Sequence, residues 1–237
     1  MILFLTSSPC LAGLDRAVLN PANGFVDRLR AALPKAPRCL FICSNPQTPD
    51  RTERFAQNMQ DAFWEADLPF ASLKVLDGRN ASQAASLVKD SNFIILAGGH
   101  VPTQNAFFQQ IGLKEILQTY DGVLMGISAG TMNAAEKVYA QPELPGEAVD
   151  PDYVRFLPGL GLTDVMILPH YQMVKDDWLD GQRLFEDITY PDSMGRTFYA
   201  LPDGSYLYQT ETEKKLMGEA FRIRNGNLYQ VEEEETL

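Results

Sequence analysis

The first half of the chain carries five short runs dominated by apolar or β-branched residues: ILFLT, CLFIC, SLKVL, FIILA and GVLMGI. A strand with one wet face alternates, whereas a strand covered on both faces stays apolar throughout, so these runs predict buried strands. Between them the spacing predicts helices over 24–33, 51–66, 82–89 and 104–119. In the second of these, Phe55, Met59 and Phe63 recur at every fourth position, which puts an apolar stripe against a core. Strand–helix alternation of this kind predicts an α/β fold, a doubly wound and mainly parallel sheet with right-handed crossovers.

The pattern changes beyond residue 140. QPELPGEAVDPDYVRFLPGLGL is rich in Pro, Gly and acids and reads as a long loop over the sheet, a kind of segment that is often functional in compact domains. VMILPHY predicts one more strand, 131–138 a helix after GVLMGI, and 176–189 an amphipathic helix anchored by Trp178, Leu179 and Phe185. The last stretch, from RTFYAL onward, alternates as strands do around Asp-Gly and Asn-Gly turn signals, giving a β-rich C-terminal extension. No repeat, low-complexity tract or linker interrupts the chain, so one domain over 1–237 is expected.

Composition narrows the partners. The 31 acids against 20 bases leave a net charge of −11, which argues against a nucleic-acid surface and against docking on anionic membrane. No apolar run approaches a membrane span. The acidic end, VEEEETL, reads as a solvated, frayed tail. MILFLTSSPCLAG has no basic stretch before its apolar run, so no signal peptide is expected. Three cysteines, an odd number, fit a reducing compartment, and the cytoplasm is the expected location. Only two histidines occur, neither in a Cys/His cluster, so neither a metal nor a cofactor is expected.

Candidate chemistry centres on GVLMGISAGTMNAAE, where Gly-x-Ser-x-Gly falls between a buried strand and a helix former. By composition the pattern recurs by chance in about one chain in ten of this length, so its setting carries more weight than the pattern. A serine raised on a strand-to-helix turn is the arrangement of a nucleophile, here Ser128. Such a serine needs a base. His100 follows FIILAGG and His170 follows VMILP, both at carboxyl ends of strands, where the ligand crevice of an open α/β sheet lies. The N–H of Ala129 and a glycine loop, with Gly99 the best candidate, would supply oxyanion donors.

These pieces resemble dipeptidase E, the α-aspartyl dipeptidase, and its relative cyanophycinase. The matching elements are IILAGGH where the dipeptidase has a Gly-Gly-Gly-Asn loop, the elbow GISAG, LPHY and LPDGSYL, in agreeing order and spacing from Met1 to Leu207. The resemblance implies a class I glutamine-amidotransferase-like (flavodoxin-like) fold with serine in place of that family's cysteine. It implies Ser128 as nucleophile, His170 as base and Asp203 as the orienting acid, with Gly99 and Ala129 as the oxyanion hole. His100, Tyr171 and Gln172 are expected at the substrate, and Asp164 is the competing acid. The chain has Asp203-Gly204 where the dipeptidase has Glu-Gly, and His100 followed by VPTQN where its loop has Asn. An acidic substrate group would need a cation, for which Arg155, Lys175, Arg183 and Arg196 are candidates. The expected activity is hydrolysis of short peptides, dipeptides in particular, by a monomer or homodimer. An esterase of α/β-hydrolase type and a non-catalytic, ligand-binding relative are the alternatives.

Overall fold

The computed structural model of the chain describes residues 1–231 and 235–237. Its first half alternates β1 (Ile2–Thr6), α1 (Phe25–Ala32), β2 (Arg38–Ile42), α2 (Pro49–Glu65), β3 (Ser72–Leu76), α3 (Ala84–Asp90), β4 (Phe93–Leu96), α4 (Val101–Gln110), α5 (Leu113–Leu117), β5 (Val123–Ile127) and α6 (Ala129–Asn133). Then come β6 (Lys137–Tyr139), β7 (Phe156–Pro158), β8 (Met166–Leu168), α7 (Tyr171–Val174), β9 (Trp178–Leu179), β10 (Gln182–Arg183), a π-helical turn over Leu184–Thr189 and α8 (Tyr190–Asp192). The chain closes with β11 (Thr197–Ala200), β12 (Tyr206–Gln209), β13 (Lys214–Met217), β14 (Ala220–Arg224) and β15 (Asn227–Val231).

Among the described residues the central sheet has seven strands, ordered β13-β12-β1-β5-β4-β2-β3. The five strands from β1 to β3 in that order are parallel, and β12 and β13 add antiparallel at the β1 edge. The fold is therefore mixed α/β with a mainly parallel central sheet. Four of its five runs are apolar for the expected reason; SLKVL is instead the edge strand β3, where Lys74 is exposed and only Leu76 is fully buried. Leu3, Leu5, Leu40, Ile42, Ile94 and Leu96 face one core with α3, α4 and α5. Their strand neighbours Phe4, Phe41, Phe93 and Ile95 face another with α1 and α2.

A second sheet, β15-β14-β11-β8, lies beside the first, with β8 and β11 parallel. Its core stacks Phe198 on Tyr139 at 4.4 Å and gathers Leu168, Phe185 and Ile188. The Asp-Gly signal at 203–204 is not a hairpin: it carries the chain from β11 in the second sheet to β12 in the first. The Asn225-Gly226 signal is one, joining β14 to β15 with both residues at positive φ.

Three expected helices differ. The helix expected over 104–119 begins earlier, at Val101 with Pro102 in its first turn, and is divided by Gly112 at φ 63, a left-handed stop that glycine adopts without a steric penalty. The helix expected over 131–138 stops at Asn133, because Lys137–Tyr139 pairs with β7 and buries Val138 and Tyr139. Pairing and burial of β-branched and aromatic residues outweigh local helix preference here. The helix expected over 176–189 is a hairpin, β9–β10, followed by the π-helical turn. Asp180 and Gly181, at φ 52 and 79, form its two-residue turn, the Asp-Gly chemistry of a hairpin. Phe185 is buried as an anchor should be, but Trp178 is 66% exposed. Of the acidic tail, residues 232–234 lie outside the described residues. Beyond them the expectation of fraying fails, because Leu237 N–H donates to Lys214 C=O and Leu216 N–H to Glu235 C=O, which ties the end to β13.

The β9–β10 turn is fastened to the long loop after β6: Asp180 accepts hydrogen bonds from the N–H groups of Gly146 and Ala148 at 2.8–3.0 Å. Hydrogen bonds to a carboxylate contribute about 1.5–3 kcal/mol, less where water competes. In Asp180→Ala, amide exchange at Gly146 and Ala148 should accelerate about tenfold or more while exchange in β4 and β5 stays unchanged. Unaltered protection at those two amides would show that the tie does not restrain the loop.

Candidate active site

The site lies at the carboxyl ends of the parallel strands, where Ser7 follows β1, Gly98 and Gly99 follow β4, Ser128 follows β5 and His170 follows β8. The Gly-x-Ser-x-Gly stretch has a steric explanation. A Cβ on Gly126 would lie 2.8 Å from Thr131 backbone, and one on Gly130 would lie 2.4 Å from the Leu96 carbonyl oxygen. Glycine at both positions lets α6 pack directly over β4 and β5. Between them Ser128 has φ 49 and ψ −110, a sparsely populated conformation that costs about 1–3 kcal/mol. Its N–H is held by the carbonyls of Thr6 and Ser7, each at 3.2 Å. Thr131 Oγ1 donates to the Thr6 carbonyl at 2.7 Å, which fastens the helix to β1.

Ser128 Oγ lies 2.9 Å from His170 Nε2, and His170 Nδ1 lies 2.7 Å from Asp203 Oδ1. With the proton on Nδ1 the ring donates to the carboxylate and accepts from the serine hydroxyl. His170 is itself left-handed, at φ 59, and its N–H donates to Ser7 Oγ at 2.7 Å. The Ser7 hydroxyl then donates to Asp203 Oδ1 at 2.7 Å. Asp203 N–H donates to Gln172 Oε1 at 3.0 Å.

The remaining expected residues fall as follows. Ala129 opens α6 directly after Ser128. Gly99 lines the cleft, and a side chain there would strike Ser44, whose Oγ lies 2.4 Å from the Cβ position. His100 also lines the cleft, with its ring hydrogen-bonded between Thr103 Oγ1 at 2.7 Å and Glu147 Oε1 at 2.8 Å. Tyr171 packs in the core against Phe185 and Phe221, and Gln172 serves the Asp203 loop; neither lines the cleft. Asp164 pairs with Lys214 and is 73% exposed, apart from His170. Of the four expected cations, Arg155 pairs with Asp192, Arg183 with Asp187, Lys175 neighbours Asp176, and Arg196 covers the Phe156 ring. None of the four lines the cleft.

The cleft has two arms, of about 450 and 230 Å³. The larger is lined by Ser44, Asn45, Thr48, Arg51 and Phe55; the smaller by Val101, Met132, Pro142, Trp178 and Leu184. Gly99, Ser128, Glu143 and His170 line both, so they form the junction. Ser7, Arg51 and Glu143 were not anticipated from the sequence. Ser7 directly follows the carboxyl end of β1, a position to which the strand-end rule applies, whereas Arg51 lies in the first turn of α2, where the apolar stripe reads as packing. Nothing local marks Glu143, which the long loop brings in. Among the described residues no cluster of three or more His, Cys, Asp or Glu side chains could hold a metal ion.

A sequence model described as peptidase family S51 matches residues 12–217. Among solved structures, the 1.5 Å crystal structure of a candidate peptidase E protein from Listeria monocytogenes EGD-e is similar, with a TM-score of 0.60 at 15% identity over 98% of each chain. At that identity the likeness speaks to the fold. No curated protein matches the chain.

Burial alone would push the Asp203 carboxyl up, but the hydrogen bonds from His170 and Ser7 and the charge of His170 outweigh it and hold it below the usual carboxylate range. A carboxylate held low in the folded state stabilises that state above the unfolded value, about 3.9, and the stabilisation is lost as pH falls through the folded value. Ser7→Ala removes one of the donors on Oδ1. In an NMR titration the Asp203 carboxyl of this variant should move up toward its ordinary value, and the acid loss of stability should begin at higher pH. An unmoved titration would remove Ser7 as a donor to Asp203.

Proposed function

Because the chain belongs to peptidase family S51, and is therefore a serine-type peptidase acting on peptides, we propose that it hydrolyses short peptides, dipeptides foremost, through Ser128, His170 and Asp203. The observation that carries this reading is the unbroken chain from Ser128 Oγ to His170 Nε2 at 2.9 Å and from His170 Nδ1 to Asp203 at 2.7 Å. In this mechanism Ser128 attacks the scissile carbonyl while His170 Nε2 takes its proton. Asp203 keeps the other ring nitrogen protonated and stabilises the imidazolium. The N–H groups of Ala129 and Gly99 face the developing oxyanion. His170 then protonates the leaving amine, and water, deprotonated by the same nitrogen, releases the acyl group from Ser128.

Restriction to short substrates rests on the size of the two arms and on the loop segment of Gln141, Pro142, Glu143 and Leu144 that overhangs them. The chain order Ser, His, Asp differs from that of the α/β-hydrolases, which run Ser, acid, His. The proposal takes 1–237 as one peptidase domain of class I glutamine-amidotransferase-like, flavodoxin-like kind, with serine in the nucleophile position and the stretch from β11 onward as a β-rich C-terminal extension, two of whose strands, β12 and β13, join the central sheet. It also places the protein in the cytoplasm, a reducing compartment that three unpaired cysteines fit.

A fluorophosphonate probe should label the wild-type protein at Ser128 and leave Ser128→Ala unlabelled. Asp203→Asn should fold normally and lose up to ~10⁴-fold in turnover of a dipeptide, because the imidazole loses its productive tautomer. His170→Ala should be far more damaging than His100→Ala. Near-normal turnover in Asp203→Asn would take that carboxylate out of the mechanism.

A further inference from the structure

The junction and the larger arm of the cleft carry opposite charges. Arg51 is the one Lys or Arg side chain lining either arm, and no carboxylate pairs with it among the described residues. Every other arginine considered near the site is engaged elsewhere, in a protein whose acids outnumber its bases by 31 to 20. An unpaired guanidinium in a cleft of such a protein is available to an anion from outside. Ser44, Asn45 and Thr48 line the same arm and offer further polar groups.

Glu143 is the anion at the junction. Its Oε1 accepts the Val101 N–H at 3.2 Å, it lines both arms together with Ser128 and His170, and His100 Nε2 lies 3.9 Å from the same oxygen. Asp177 also lines a wall, but only of the smaller arm, away from the junction.

We propose that the cleft reads both ends of its substrate: Glu143 receives the α-ammonium of the residue whose carbonyl Ser128 attacks, and Arg51 receives the α-carboxylate of the leaving residue. This rests on the proposed attack by Ser128. In a dipeptide the ammonium is separated from the attacked carbonyl by a single carbon, so its partner must stand at the junction, as Glu143 does. The terminal carboxylate lies one residue beyond the scissile bond, a span of about 3.5 Å, which carries it into an arm adjoining Ser128, and the larger arm is the one that Arg51 lines. The same guanidinium chemistry could be met by an acidic side chain of the substrate, and the test separates the two sources.

The substrates are a dipeptide with apolar side chains, its C-terminal amide, its N-acetyl form, and the amide of a dipeptide carrying an aspartyl side chain. The wild type should prefer the free dipeptide over both blocked forms by about tenfold or more in kcat/KM, the scale of a charge-assisted hydrogen bond. Arg51→Met should abolish the preference for free acid over amide while keeping that for free amine over N-acetyl. Glu143→Gln should do the reverse. Both variants should still be labelled at Ser128 by the fluorophosphonate, and Arg183→Met, a cation outside the cleft, should keep both ratios. Equal losses on free and blocked substrates in Arg51→Met would overturn the assignment. So would rescue of the amide by an aspartyl side chain that depends on Arg51, which would make the side chain its partner. An unlabelled wild-type Ser128 would instead strike the catalytic reading.

Discussion

The Ser7 hydroxyl accepts a hydrogen bond from the His170 N–H and donates one to Asp203 Oδ1, and through those two bonds the ends of two different sheets are held together. Ser7 closes β1 of the central sheet, whereas His170 and Asp203 follow β8 and β11 of the second. The hydroxyl is 0% exposed, so no water competes for either bond, and leaving one unmade would cost the desolvation of a buried polar group. A hydroxyl has one proton to give, so its rotamer is fixed by the pair of partners it serves. The imidazole inherits its position from that arrangement, with its backbone held by Ser7 and its ring by Asp203.

The strain at Ser128 is supported in the same region. Its unusual backbone is offset by the two carbonyls that share its N–H and by direct helix-on-strand contact. That contact exists only because Gly126 and Gly130 have no side chains. The part of the site at the ends of β1, β5 and β8 is thus distinct from the outer walls of the cleft. Those walls include the loop carrying Glu143, the first turn of α2 and the β9–β10 hairpin, and Asp180 ties the hairpin to the loop at Gly146 and Ala148.

Much of the central sheet was legible in the sequence because a strand covered on both faces leaves an apolar run that no helix of comparable length imitates when turn residues flank it. The errors arose where distant pairing overrode local preference. Residues 137–139 became a strand because β7 was there to pair with, and 178–183 became a hairpin around an Asp-Gly pair embedded in an otherwise helical pattern. In the candidate site, the residues on strand ends could be read from position, and the structure sets Ser128 beside His170. Ser7 could not be read so easily, since its two partners lie 163 and 196 positions away. Arg51 sits in a helix that reads by its apolar stripe as a packing element, and Glu143 in a loop without periodicity. Partners chosen by tertiary approach leave no local trace.

The position of Asp203 at the crossing between sheets bears on how the protein is made. Synthesis runs from the amino end, and the elbow, both histidines and the cleft walls are all on the ribosome's earlier product. The carboxylate arrives only with the segment that leaves β11 and enters β12, and it is aligned only when β12 has added beside β1. Until that segment is in place, the chain carries the serine and the imidazole without the carboxylate that hydrogen-bonds the ring. On the proposed mechanism, full alignment of the imidazole therefore waits on the segment between the two sheets rather than on the elbow itself.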